Sequence, residues 1–183
     1  MIIYIRHGKD EAGGYAHDGS LTEKGKEEVL EFTKRMVEKH GYPDVIYYSP
    51  FYRARQTVKQ MLKVLNKEGG EEKQDKKIKA KIHPFLGRFF SSYERMHPEV
   101  HKKTLEKGAI IQHDKKQFKR RVEKHLKYVK HKIEEGEYKV IWNVSHALVL
   151  VNIIKFLNIE RDLHIEYLDT IILKENEKKK DEE

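Results

Sequence analysis

The sequence contains no cysteine. It can neither close a disulfide nor present a thiolate, so thiol nucleophiles, iron–sulfur clusters and cysteine-bound zinc are excluded. A chain without cysteine suits a reducing compartment, and a cytoplasmic location is the expectation. Proline is scarce, with four in 183 residues, which rules out a proline-rich linker and leaves helices free to run uninterrupted. Long apolar runs are also missing. The opening residues Met1 to Ile5 are apolar, but Arg6 ends them well short of a secretory signal. The apolar stretch from Ala147 to Ile154 is far below the roughly 20 residues that span a bilayer, so no membrane association is expected.

Charge is what the sequence has in quantity. Charged residues make up 37% against 38% hydrophobic, and 38 Lys and Arg outnumber 30 Asp and Glu for a net charge of +8. Such a balance can attract polyanions. Acidic residues interleave the lysines almost everywhere, however. The densest basic patch, Lys115–Lys116 with Lys119–Arg120–Arg121, carries no aromatic beyond Phe118, so a nucleic-acid partner is not expected.

The length suits one domain, placed at 1–173, followed by a charge run over 174–183 that is expected to be disordered. Short apolar runs alternate with helical patterns, the signature of an α/β fold: a three-layer αβα sandwich around a mostly parallel sheet. Strands are expected at Ile2 to Ile5, Val45 to Tyr48, Ile78 to Ile82 (alternating with lysine, like an edge), Val140 to Val144 and Tyr167 to Leu173. Thr22 is placed to cap a helix running to about His40, with Val29, Phe32, Thr33, Met36 and Val37 inward and Gly41 ending it. Ser49-Pro50 is expected to open the next helix, whose stripe is Ala54, Val58, Met61, Leu62 and Leu65. A long helix is expected from about Asp114 to Glu135 and a buried one from Ala147 to Leu157. Trp142 is expected in the core, and His113, His125 and His131 on the surface among lysines.

Three strands are followed by chemically capable residues: Arg6-His7-Gly8 after the first, Ser49-Pro50 and then Arg53 after the second, and Ser145-His146 after the fourth. Open α/β sheets bind ligands at the carboxyl ends of their strands. Two histidines and two arginines therefore converge beside helix N-termini that favour anions. Arginine donates bidentately to phosphate and stays charged. A neutral imidazole can attack phosphorus in line, leaving water to cleave the phosphohistidine. Arg6, Arg53 and a protonated His146 would supply the positive charge without a metal, and Gly8 would let the backbone approach the phosphate. No cofactor is called for, and the paired His97 and His101 have no third ligand in sight for a metal site.

These blocks resemble the signatures of the histidine phosphatase, or phosphoglycerate-mutase-like, superfamily. Tyr4-Ile5-Arg6-His7-Gly8 is similar to its RHG motif, Leu21-Thr22 with Gly25 to its LTxxG, Ser49 through Thr57 to its SPxxRAxQT block, and Val144-Ser145-His146 to its second histidine. The resemblance implies that His7 is the nucleophile, that Arg6 and Arg53 bind phosphate, and that His146 stabilises the transferring group. Arg55 falls on a variable position and takes no role. The family's glutamate proton donor follows the third strand in a Leu-x-Glu. Here that stretch is Leu86-Gly87-Arg88, which leaves Glu94 and Asp10 as candidate donors, or a substrate whose leaving group needs none. The short chain is similar to bacterial phosphohistidine phosphatases and lacks the extra elements of mutases. The expected partner is a phosphorylated small molecule or phosphoprotein. A mutase-type transferase and a catalytically weak phospho-ligand or nucleic-acid binder are the alternatives.

Overall fold

Residues in each central strand alternate between two cores, because successive side chains point to opposite faces of a sheet. The computed structural model describes residues 1–11, 19–66, 78–82 and 115–174, the last with side chains from 120 onward. Its strands are β1 (Ile2–Arg6), β2 (Val45–Tyr48), β3 (Lys79–Ile82), β4 (Ile141–Ser145) and β5 (Thr170–Leu173). They form one sheet in the order β3-β2-β4-β1-β5, all parallel except β5, which runs against β1. Among the described residues the helices are α1 (Glu23–His40), α2 (Tyr52–Leu65), α3 (Lys115–Glu134) and α4 (Ala147–Phe156).

Ile3, Ile5, Ile46, Trp142 and Val144 face α1 and α2 together with Val29, Phe32, Met36, Ala54, Val58, Met61 and Leu65. Ile2, Tyr4, Val45, Tyr47 and Ile141 face α3 and α4, with Val122, Leu126, Val129, Leu150 and Ile153. The expected αβα sandwich is therefore present, with a mostly parallel sheet between two pairs of helices. Trp142 is fully buried in it. Thr22 caps α1 by accepting the Gly25 N–H at 2.9 Å, and Gly41, at φ 76°, ends it. Among the described residues, no helix is long and apolar enough to cross a membrane.

Three local expectations are corrected. β5 begins at Thr170 rather than Tyr167. Glu166 to Asp169 form a turn instead, closed by the Asp169 N–H on the Glu166 carbonyl and by the Glu166 N–H on the Asp169 carboxylate, with Leu168 at φ 62°. A leucine in that left-handed region costs roughly 1 kcal/mol, so tertiary contacts hold it there. Second, α2 has Phe51 at its N-cap with no side-chain cap bond; the Ser49 hydroxyl is engaged elsewhere. Third, His125 is fully buried, its ring edge-on to Tyr4 at 5.5 Å. It lies three residues after Val122 and four before Val129, on the inward stripe, and the surrounding lysines disguise that spacing. His113, His97 and His101, Arg88, Glu94 and the 175–183 segment lie outside the described residues.

Candidate active site

Sheet register creates the site. Arg6 pairs with Ser145 across the β1–β4 ladder and Tyr48 with Val144 across β2–β4. The residues one step further on, His7, His146 and Ser49, therefore emerge side by side at the carboxyl edge. The ladder continues into them, through the His7 N–H on the Ser145 carbonyl and the Ser49 N–H on the Val144 carbonyl. The two histidine rings meet edge to face with centroids 5.1 Å apart, and both residues are buried, His7 at 2% and His146 at 9% exposure.

The Ser49-to-Thr57 block then works as a clamp. Ser49 Oγ lies 2.8 Å from His146 Nε2, and the Phe51 ring packs edge-on to His146 at 4.9 Å. Arg53 leaves the first turn of α2 with its Cζ 4.8 Å over the Phe51 ring, and its Nε donates to His7 Nε2 at 3.1 Å. Gln56 accepts the Leu21 N–H at 2.6 Å, and Thr57 Oγ1 accepts the Gly8 N–H at 3.0 Å while donating to the Arg53 carbonyl. One helical turn thus ties β1, the α1 entry and the nucleophile candidate together. Gly8 also has a packing role. A Cβ there would stand 2.7 Å from Val29 Cγ2, and one at Gly25 would collide with the Lys9 carbonyl. Both glycines let α1 pack against the loop after β1.

Hydrogen bonding fixes the His7 tautomer. Its Nδ1 lies 2.9 Å from the Gly8 carbonyl, which can only accept, so Nδ1 carries the proton and Nε2 presents its lone pair to Arg53. Burial pushes the His7 pKa down to about 3, with the positive charges of Arg53 and then Arg6 adding to the effect against the Gly8 hydrogen bond. The imidazole is neutral at physiological pH. This has a consequence for stability. A histidine neutral in the fold but ordinary when unfolded, near pH 6.5, makes the unfolded state take up the proton first as pH falls. Stability should drop between about pH 6.5 and 3 with a slope of up to about 1.4 kcal/mol per pH unit from this group. Denaturant titrations across that window should show a flatter acid limb in His7→Asn; identical limbs would contradict the assignment.

Arg6 stands next to this cluster. Its Nη1 donates to the Ile165 carbonyl at 2.5 Å, its Cζ sits 3.9 Å over the Tyr167 ring, and its buried Nε has no hydrogen-bond partner among the described residues. An orphaned buried donor beside Arg53 is what a pocket built for an anion presents. Arg6 and Tyr167 also wall a crevice of about 940 Å³ reaching along α1. Asp10 is buried at 3% exposure, with Oδ2 3.6 Å from Arg53 Nε and Oδ1 accepting from the Tyr167 hydroxyl at 3.2 Å. Asp10, one of the two candidate donors, therefore lies within the site. Tyr167, whose ring also faces His7 at 5.7 Å, was not among the candidates. Its signal was topological. Residues preceding an antiparallel edge strand reach the same sheet edge as those following parallel strands. Among the described residues no group of three or more His, Asp or Glu could hold a metal ion.

Residues 2–168 match the family model of the histidine phosphatase superfamily (branch 1). The chain belongs to the histidine phosphatase superfamily. Its fold is shared with a phosphoglycerate mutase from Bacillus anthracis at a TM-score of 0.66 and 17% identity, covering 92% of this chain and 85% of that one. An alpha-ribazole phosphatase from Shigella flexneri aligns at 0.53 and 21% identity over 84% of this chain and 78% of the other. A phosphoserine phosphatase from Entamoeba histolytica aligns at 0.51 and 21%, over 87% and 80%. No curated protein matches the sequence.

Proposed function

We propose that this superfamily member is a phosphatase that hydrolyses phosphomonoesters or a phosphoprotein, phosphohistidine included, through a covalent phosphohistidine on His7. The observation that carries the reading is the fixed tautomer: a neutral, buried imidazole whose Nε2 lone pair is aimed at an arginine. When substrate enters, its phosphoryl oxygens draw the Arg53 N–H away from Nε2. The lone pair forms a bond to phosphorus while the bond to the leaving oxygen or nitrogen breaks, the electron pair departing with the leaving group. Water then attacks phosphorus, the P–N bond returns its pair to Nε2, and the water proton passes to solvent. Arg53, Arg6 and His146 stabilise charge on the transferring group, while the Gly8 carbonyl holds the Nδ1 proton throughout. The chain's own residues supply the positive charge this scheme needs, so hydrolysis should persist in the presence of a chelator.

Leaving-group chemistry tests the scheme. Asp10 accepts from Tyr167 and faces Arg53, contacts that suit an acceptor rather than a proton donor, and the glutamate of the family pattern is replaced by Arg88. Aryl phosphates and phosphoramidates should therefore have kcat/KM values about two to four decades above those of alkyl phosphates, the span general acid catalysis supplies. Equal values would mean that a proton donor acts here. If Glu94 is that donor, Glu94→Gln should slow alkyl esters far more than aryl ones. A requirement for a bisphosphoglycerate primer would instead indicate a mutase-type transferase.

A further inference from the structure

Burying a carboxylate is costly unless it is paired, and the partners chosen by Asp10 are parts of the reaction site. Its backbone is pinned by the Asp10–Leu21 bridge and by the Glu11 N–H on the Ser20 carbonyl. Tyr167 is pinned in turn by the Arg6 guanidinium over its ring and by the 166–169 turn. The single Arg53 Nε–H thus faces two acceptors, His7 Nε2 at 3.1 Å and Asp10 Oδ2 at 3.6 Å. Two guanidiniums beside a phosphoryl group hold product phosphate as readily as substrate. Such uniform binding lowers KM without raising kcat, and it slows release. A fixed carboxylate on the same arginine opposes it.

We propose that Asp10, oriented by the Tyr167 hydroxyl, is an anionic counterweight that shares Arg53 with phosphate and thereby sets how tightly the site holds its product. Asp10 acts through Arg53 and is a positioning residue. The proposal rests on Arg53 being the phosphate ligand of the reading above. It makes two substitutions act in opposite directions. Asp10→Asn keeps an oxygen for the Tyr167 hydroxyl but removes the charge. A unit charge a few ångströms from an anion in this setting is worth about one to two decades of affinity, so inorganic phosphate and vanadate should bind at least about tenfold more tightly. KM for an aryl phosphate should fall, and kcat should fall as release slows. Tyr167→Phe keeps the ring under Arg6 but frees the carboxylate to turn fully onto Arg53. Phosphate should then bind about threefold to tenfold more weakly and KM should rise, the loss expected when one hydrogen bond is deleted.

The experiment is an equilibrium titration of wild type and both variants with inorganic phosphate, paired with kcat and KM for p-nitrophenyl phosphate. Opposite shifts support the counterweight. Weaker phosphate binding in Asp10→Asn would show that Asp10 merely holds Arg53 in place, and would overturn it. Should Asp10→Asn fail to fold, unchanged or tighter binding in Tyr167→Phe overturns it equally. Absent turnover in the wild type would defeat the phosphatase reading and leave the titration to decide this one. A wild type that binds no phosphate defeats both.

Discussion

His7→Asn is expected to lower kcat by about four to six decades, the loss seen when a covalent nucleophile is removed. Asparagine occupies much of the imidazole volume but carries no nucleophilic lone pair, so covalent transfer has no route. The neighbourhood should survive the change. Ladder bonding through the His7 N–H is a backbone contact, the ring is neutral in the fold, and Arg53, which loses its bond to His7 Nε2, keeps Asp10 Oδ2 at 3.6 Å from the same Nε. Inorganic phosphate should therefore still bind within about threefold of wild type, because Arg6 and Arg53 are untouched. Steady-state rates with an aryl phosphate and a phosphate titration measure the two quantities separately. Activity within about tenfold of wild type would place the nucleophile elsewhere.

Arg53→Lys keeps the charge and removes the fork, and is expected to lower kcat/KM by about two to three decades. The planar guanidinium does three things at once here. It stacks on Phe51, it offers Nε–H to His7, and its planar fork can meet phosphoryl oxygens bidentately. A lysine ammonium is a point charge on a flexible stem and can meet only one of these demands in a given geometry. The Thr57 hydroxyl bonds the Arg53 carbonyl rather than its side chain, so α2 should keep its position and the thermal midpoint should shift little. Rates close to wild type would mean that charge alone suffices and that the clamp geometry is incidental.

Much of this arrangement is legible in the chain. Strand periodicity shows Ile3 and Ile5 on one face with Ile2 and Tyr4 on the other, and the rule that ligands gather at carboxyl edges brings His7, Arg53 and His146 together. What escapes local pattern is what depends on long-range partners. Tyr167 lies 157 residues from Asp10 in sequence, yet their hydrogen bond defines one wall of the site. No short-range periodicity reports that β5 turns antiparallel. Ser49 looks like a cap because serine before proline usually is one, and only the approach of β4 shows its hydroxyl on His146. The packing of Val29 against Gly8 is likewise invisible in the local pattern. His125 is misjudged from composition, although its helical spacing places it inward.

Stereochemistry at phosphorus tests the central claim most directly, since it does not require an intermediate to accumulate. A thiophosphate monoester made chiral with oxygen isotopes, hydrolysed in isotopically labelled water, records how many in-line displacements have occurred. Attack by His7 Nε2 followed by attack of water inverts phosphorus twice, so the account predicts net retention of configuration. Net inversion would mean that water attacks the substrate directly, and it would contradict a covalent phosphohistidine.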